Sequence, residues 1–277
     1  MSQEIRLGPL LGRLLVPATL AVLLQGPAAQ AAPSFMPHRA VYELALTQSR
    51  VGTVIDARGV LEFEWSDVCD GWAVRQRTRL AMSDAQGGDF ADASTLNTWE
   101  SKDGLSYRFF YRSLSSNGER QDRRGTARLT GPGEGGEVVY SQPPEQRESL
   151  PENTVFPSEL TLGLLELADG VALPEWHMVF DASGETGLYG TSVTLTKALP
   201  ADVPPRYGSP LLEGVPSWRV RLAFYPMAEP ESATPEYEQD LRIFANGVID
   251  ELMLHYGDFS LGATLTELEA LDPPDCS

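Results

Sequence analysis

The sequence predicts an all-β, mainly antiparallel protein with one helix. Period-two alternation recurs in segment after segment, glycine-bearing turn dipeptides separate those segments, and a single stretch carries helical spacing instead. At 277 residues the chain is long enough to bury a substantial core without metals or dense disulfides. Hydrophobic residues make up 42% and charged residues 22%, a globular balance that excludes disordered and fibrous classes.

The alternating segments are explicit. Between Trp72 and Leu80, Arg75, Arg77 and Arg79 share one face, and Trp72, Val74 and Leu80 the other. Tyr107, Phe109 and Tyr111 alternate with Arg108, Phe110 and Arg112. Val220, Leu222 and Phe224 alternate with Arg219, Arg221 and Ala223. Leu252, Leu254 and Tyr256 alternate with Met253 and His255. A strand points successive side chains to opposite faces, so each segment offers one apolar side. Ser49-Arg50-Val51-Gly52, Asp70-Gly71, Asp103-Gly104, Asn117-Gly118 and Asn246-Gly247 are turn signals, because Gly and Asn tolerate positive φ. Roughly a dozen strands are expected.

The exception is Pro157–Gly170. Phe156-Pro157 opens it and Gly170 closes it, with Leu160, Leu164 and Leu167 at i, i+4 and i+7 and Leu165 and Ala168 widening the stripe. A helix over Pro157–Ala168, packed against or plugging the sheet through Leu160, Leu164 and Leu167, is expected. The Pro- and Glu-rich stretch Ser141–Asn153 reads as a surface connection, and Ala198–Gly214 and Met227–Pro235 as Pro-rich loops. No composition shift forces a domain boundary, and no solenoid or propeller period is visible.

Residues 1–31 read as a secretory signal. Arg6 and Arg13 supply the basic start, Leu14–Leu24 is an apolar run too short to span a bilayer, and Ala29-Gln30-Ala31 is a small-x-small cleavage pattern. The alternative is an uncleaved anchor. No cysteine follows the apolar run, so lipidation there is not expected, and no other run approaches membrane-spanning length. The expected mature chain is a single domain over residues 32–277, with no transmembrane segment and a periplasmic location. Removing Glu4, Arg6 and Arg13 leaves 19 basic and 38 acidic residues, a charge of −19. So acidic a chain is no general binder of nucleic acid or anionic lipid. Cys69 and Cys276 are the only cysteines, an even count in an oxidising compartment. A bridge between them is expected, with two inert buried thiols as the alternative.

Chemistry is sparse. There is no G-x-S-x-G elbow, H-E-x-x-H, EF-hand ladder, P-loop or G-x-G-x-x-G. Gly131-Pro132-Gly133-Glu134-Gly135-Gly136 suits a hairpin loop better than a phosphate cradle. Asp67, Asp70, Asp84, Asp89 and Asp92 read as a solvated acidic edge, not a calcium loop. With 39 acids, any carboxylate pair could be chosen for glycosidase chemistry, so none is informative. His38, His177 and His255 are isolated and read as structural. Trp65, Trp72, Trp99, Trp176 and Trp218 read as core sooner than as a ligand platform. No catalytic residue, metal or cofactor is expected, and the chain is not expected to be an enzyme.

The order of these features carries a resemblance. His38-Arg39-Ala40-Val41-Tyr42-Glu43-Leu44 is followed by Cys69-Asp70-Gly71-Trp72, Trp99-Glu100-Ser101-Lys102-Asp103-Gly104, Leu150-Pro151 and Phe156-Pro157. Then come Phe180-Asp181, Pro235-Glu236-Tyr237-Glu238, Asn246-Gly247-Val248, Asp258-Phe259 and Cys276. Over residues 36–277 the chain resembles the EipB-like cell envelope integrity family of alphaproteobacteria, once classed as a domain of unknown function. The resemblance implies a periplasmic β-spiral, a long coiled, barrel-like antiparallel sheet with a helix on its concave face, similar in shape to lipoprotein carriers of the outer-membrane delivery system. It implies a disulfide between Cys69 and Cys276 and a role in envelope integrity, and it carries no catalytic residues. Gly131–Gly136 and Arg206–Gly214 look longer or more irregular than the family's pattern. The expected function is non-enzymatic binding of an envelope partner or an apolar, lipid-like ligand, with a purely structural scaffold not separable from it by sequence. The alternative is an envelope hydrolase or isomerase whose site is assembled from distant residues.

Overall fold

The computed structural model describes residues 35–50, 54–144, 146–167, 175–183, 187–227 and 233–276. The expected signal segment lies outside the described residues. Strands β1 (His38–Ser49), β2 (Val54–Asp67), β3 (Gly71–Asp84), β4 (Asp89–Ser101), β5 (Ser106–Ser115), β6 (Arg120–Leu129), β7 (Gly136–Gln142), β8 (Arg147–Leu150) and β9 (Thr154–Val155) lead to helix α1 (Pro157–Leu167). After it come β10 (Glu175–Phe180), β11 (Leu188–Leu199), β12 (Ser217–Pro226), β13 (Tyr237–Phe244), β14 (Ile249–Tyr256) and β15 (Phe259–Ala270).

All fifteen strands form one sheet in the order β8-β7-β6-β5-β4-β3-β2-β1-β15-β14-β13-β12-β11-β10-β9. Every neighbouring pair is antiparallel except β9 with β10. From β1 the chain meanders outward hairpin by hairpin to one edge at β8. It resumes at the opposite edge with β9 and β10, then meanders back until β15 pairs with β1. Two edges that follow one another in the chain make the sheet a nearly closed barrel-like coil. Such closure covers the edge strands that would otherwise recruit other chains.

Asp103-Gly104, Asn117-Gly118 and Asn246-Gly247 fall between strands, Gly71 already opens β3, and Val51-Gly52 lies outside the described residues. Gly104, Gly118 and Gly247 have positive φ, which costs glycine nothing. Between β2 and β3 the left-handed position is occupied by Cys69, at φ 66°. The sheet holds more strands than the dozen expected. β8 lies inside Ser141–Asn153, the stretch expected to be a surface connection. Pro143 and Pro144 lack donors and break the ladder, but Arg147–Leu150 recovers it by pairing with β7. A four-residue strand is too short to announce itself by alternation.

Three apolar clusters fill most of the interior. Leu160, Leu164 and Leu165 of α1 pack on Val193, Trp218, Val220, Leu222, Leu241 and Ile243 of β11–β13. Leu162 is partly buried against the same cluster; the Leu167 side chain and Ala168 lie outside the described residues. Tyr107, Phe109, Val138, Tyr140, Leu150, Phe156 and Phe180 fill the space under β4–β8. Ala40, Tyr42 and Leu44 of β1 meet Ala263 and Leu265 of β15 and Leu212, which is 1% exposed. Leu212 belongs to the irregular Arg206–Gly214 segment, which is held down by polar contacts. Buried Arg242 donates to the Pro204 and Val203 carbonyls at 2.9 and 3.1 Å, and Asp250 accepts from the Arg206 amide at 2.6 Å.

Cys69 and Cys276 are bonded, with Cα atoms 5.6 Å apart. The bridge fastens the chain beyond β15 to the β2–β3 turn. The β4–β5 turn meets it there: the Lys102 ammonium lies 3.0 Å from the centroid of a Trp72 ring and 2.8 Å from Asp67, and the Lys102 amide donates to Asp70 O.

Candidate ligand cavity

The helix needs an anchor that its own sequence lacks. Phe156 sits at the N-cap, its carbonyl accepting the first helical hydrogen bond from Leu160, yet it has no side-chain acceptor for the free amides of the first turn. Glu100, from the end of β4 and 2% exposed, takes that role. Its oxygens accept from the Ser158 amide at 3.1 and 2.9 Å and from Ser158 Oγ at 2.9 Å. The positive end of the helix dipole favours this placement. Burial is nevertheless the larger effect and pushes the Glu100 carboxyl up to about 8. Glu100 thus ties the start of the helix to the end of β4.

Beside it the interior is not filled. A cavity of about 500 Å³ runs between Pro157, Leu160 and Thr161 of the helix and the inward faces of β1, β2 and β12–β14. Its apolar lining includes Tyr42, Leu61, Phe63, Trp65, Leu222, Phe224, Tyr237, Leu252, Leu254 and Tyr256. The size is that of a small-molecule site. Its polar groups are few. His38 is buried and donates through Nδ1 to Met36 O at 2.8 Å; burial pushes its imidazole down, so the ring stays neutral. Asp181 accepts from the Ser183 amide at 2.8 Å, and burial pushes its carboxyl up. Glu236 is exposed and accepts from Tyr189 Oη at 3.4 Å. Trp65 Nε1 is buried without a hydrogen-bond acceptor in the protein, at a wall of the cavity. An unpaired buried donor costs about 1–3 kcal/mol.

The tryptophans divide. Trp65 and Trp218 are buried, as the core expectation holds. Trp72 and Trp99 are partly exposed and covered by cations, Arg108 lying 4.1 Å from a Trp99 ring. Trp176 departs from expectation at 56% exposed. Its ring occupies the space a Cβ would need at Gly190 on the neighbouring strand, and it leans on Tyr225 with centroids 5.5 Å apart.

The remaining chemistry-bearing residues are dispersed. Asp84 closes the β3–β4 turn by accepting from the Gln86 and Gly88 amides, Asp70 accepts from Trp99 Nε1, and Asp89 accepts from Ser83. His177 contacts Glu175 at 3.1 Å. His255 meets Ser260 Oγ at 2.9 Å through Nδ1 and Asp240 at 3.1 Å through Nε2. This Ser–His–Asp contact lies across β13–β15, where His255 and Ser260 are direct ladder partners. Arg221 holds both Asp240 oxygens, at 2.7 and 2.6 Å, which keeps that carboxyl below its usual range, and Ser260 is 5% exposed. Ser260 and His255 line a surface depression of about 350 Å³, into which little of the serine is exposed. Among the described residues, no helix is long and apolar enough to cross a membrane.

A single, almost wholly antiparallel sheet coiled almost into a barrel, with one helix and a lined cavity beside it, defines an all-β, barrel-like architecture. The EipB-like family model matches residues 29–272, and the chain belongs to that family. It is 29% identical over 252 residues to the cell envelope integrity protein EipB of Brucella abortus strain 2308, covering 88% of this chain and 87% of that protein. Its fold is similar to the crystal structure of a beta-barrel-like protein of a domain of unknown function from Brucella abortus. That match has a TM-score of 0.76 and 24% identity, and covers 86% of this chain and 99% of the other.

Of the residues singled out in sequence, Leu160, Leu164 and Leu165 converge under the helix and Cys69 meets Cys276. Glu100 and Asp181 appeared only within the motifs of the family resemblance. The acceptor-free N-cap at Phe156 was the one signal that a distant carboxylate was needed.

Proposed function

We propose that this protein is exported to the periplasm and supports envelope integrity without catalysis, by holding an apolar, lipid-like ligand in the cavity beside α1. The relative's name supports the envelope role. The observation that carries the ligand is the cavity itself: aromatic and aliphatic walls, with the capped helix as one side. Organic extraction of protein purified from the periplasm, followed by mass spectrometry, tests it. Bound acyl species are the expected result. Extracts free of acyl species, together with a retained protein partner, would replace the carrier with a scaffold. N-terminal sequencing of the same material should begin at Ala32; retention of Leu14–Leu24 in a membrane fraction would overturn the export proposal.

A second reading, an envelope hydrolase, has one observation in its favour, the Ser260–His255–Asp240 contact. Loss of an esterase activity in a Ser260→Ala variant would establish it.

A further inference from the structure

The negative charge of the chain is unevenly placed. Residues 151–277 hold 21 acidic and 5 basic side chains, whereas residues 54–150 hold 16 and 12. Strand register gathers most of the latter cations on one surface. Arg75, Arg77 and Arg79 point outward from β3, and the ladder carries that face across β4 to Arg108 and Arg112 on β5. On β6 it continues through Arg120, Arg124 and Arg128. All eight are exposed, and the acids sharing this face on the four strands are Asp89 and Asp122.

Toward β2 the charge is met within the chain: Glu64 pairs with Arg75, and Glu62 with Arg77 and Arg79. Arg112 and Arg120 share Asp122. Arg108, Arg124 and Arg128 form no ion pair among the described residues. Aromatic rings hold two of them instead: Arg108 lies 4.1 Å from a Trp99 ring centroid and Arg124 5.0 Å from that of Phe110. A guanidinium keeps its full charge over a ring face, so these contacts orient the cations without neutralising them. Leu114, 54% exposed, and half-buried Phe110 and Trp99 set apolar surface among the charges. Between the arginine rows β4 presents Ala93, Thr95 and Asn97, which are small and uncharged.

We propose that the outward face of β3–β6 docks this protein on a membrane surface of anionic phospholipid. Outward side chains recur about every 7 Å along a strand, and alternate strands lie roughly 10 Å apart, so the guanidinium groups form a broad, repeating array. Such an array matches a layer of like phosphate heads, and rings and a leucine among cations have the composition of an interfacial contact. The acid-rich strands after α1 are repelled by the same surface, which gives the docked molecule one orientation. The net charge of the chain opposes indiscriminate adhesion and confines binding to this face. The proposal is independent of what the cavity holds.

Flotation of protein purified from the periplasm with phosphatidylcholine vesicles, with or without about one third phosphatidylglycerol, tests this. Binding is expected only where phosphatidylglycerol is present, and it should fall steeply as salt rises. Arg108→Gln/Arg124→Gln/Arg128→Gln should weaken it roughly a hundredfold, about fivefold for each guanidinium lost. Arg39→Gln/Arg206→Gln/Arg219→Gln, an equal change of charge on other parts of the chain, should weaken it several-fold at most. The vesicle and salt comparison on the parent stands without either variant. Equal binding to the neutral vesicles, or binding to neither, would overturn the proposal. Capture of the parent by immobilised polyglutamate without vesicle binding would assign the face to an acidic protein and overturn it as well. Equal weakening by the two triple variants would overturn the assignment to β5 and β6.

Discussion

Under β4–β8 the interior is solid with aromatic rings. Tyr107 stacks on Phe156 with centroids 5.0 Å apart and on Phe109 at 5.7 Å, and Phe109 meets Phe180 at 5.8 Å and Tyr140 at 5.6 Å. Under β1, β2 and β12–β14 the side chains are of the same kinds, yet the space between them stays open over about 500 Å³. The difference lies in what the chain inserts. At the filled end, Phe156 and Phe180 come in from the segments flanking the helix. At the open end only one side of the helix approaches, through Pro157, Leu160 and Thr161. Close packing is the ordinary state of protein interiors, so the filled end explains stability and the open end is the departure that the proposed ligand would fill.

Substitutions can break this contrast. The largest effect is expected at the helix, which serves both ends. Leu164→Asp would set an unpaired charge against apolar surface, at a cost on the order of 4 kcal/mol or more in urea unfolding. If it melts like the parent, the helix does not pack through Leu164. Next comes a matched pair of truncations. Phe156→Ala at the filled end should cost about 3–5 kcal/mol, while Leu254→Ala at the cavity wall should cost about 1 kcal/mol, because its side chain already borders a void. Equal losses would erase the distinction between the ends.

The bridge between Cys69 and Cys276, 207 residues apart in sequence, restricts mainly the unfolded chain. Replacing both by Ser should lower stability by about 2–5 kcal/mol while leaving cavity binding intact. Labelling of two free thiols in denatured, non-reduced protein from the periplasm would show that the bond does not form there.

Glu100 sharpens the account of how the helix is held. Its carboxyl moves from an ordinary value of 4.5 to about 8 in the folded chain. Between those values the folded state holds a proton that the unfolded state releases. This group's contribution is therefore full below the lower value and is lost as pH rises toward the upper one. Glu100→Gln keeps an acceptor for the Ser158 amide and removes the titration. Stability measured at about pH 5 and about pH 8 should fall on the order of a few kcal/mol less in the variant than in the parent. Identical slopes would mean that Glu100 does not titrate in this window.

Much of the fold was legible because local rules and global structure agree. Trp72–Leu80, Tyr107–Arg112 and Arg219–Phe224 alternate because one face of each strand meets the interior, and Asp103-Gly104, Asn117-Gly118 and Asn246-Gly247 turn because their glycines take positive φ. β8 was hidden because its ladder partner, β7, rather than its own composition makes it a strand. Trp176 was misread because a bulky ring beside Gly190 is outwardly indistinguishable from a core ring in a strand pattern. The cavity was illegible for a deeper reason. Leu61, Leu254 and Tyr237 carry the same inward signal as residues that touch across the core, and only the path of the helix decides which of them meet empty space.

That distinction is tested most directly by filling the open end. Leu254→Trp adds volume at the cavity wall without adding charge. Native mass spectrometry of parent and variant, both purified from the periplasm, should show a non-covalent adduct released on activation of the parent. The variant should melt like the parent and carry no adduct. A bare mass for the parent, or an adduct retained in full by a folded Leu254→Trp variant, would contradict the claim that this cavity is the ligand site.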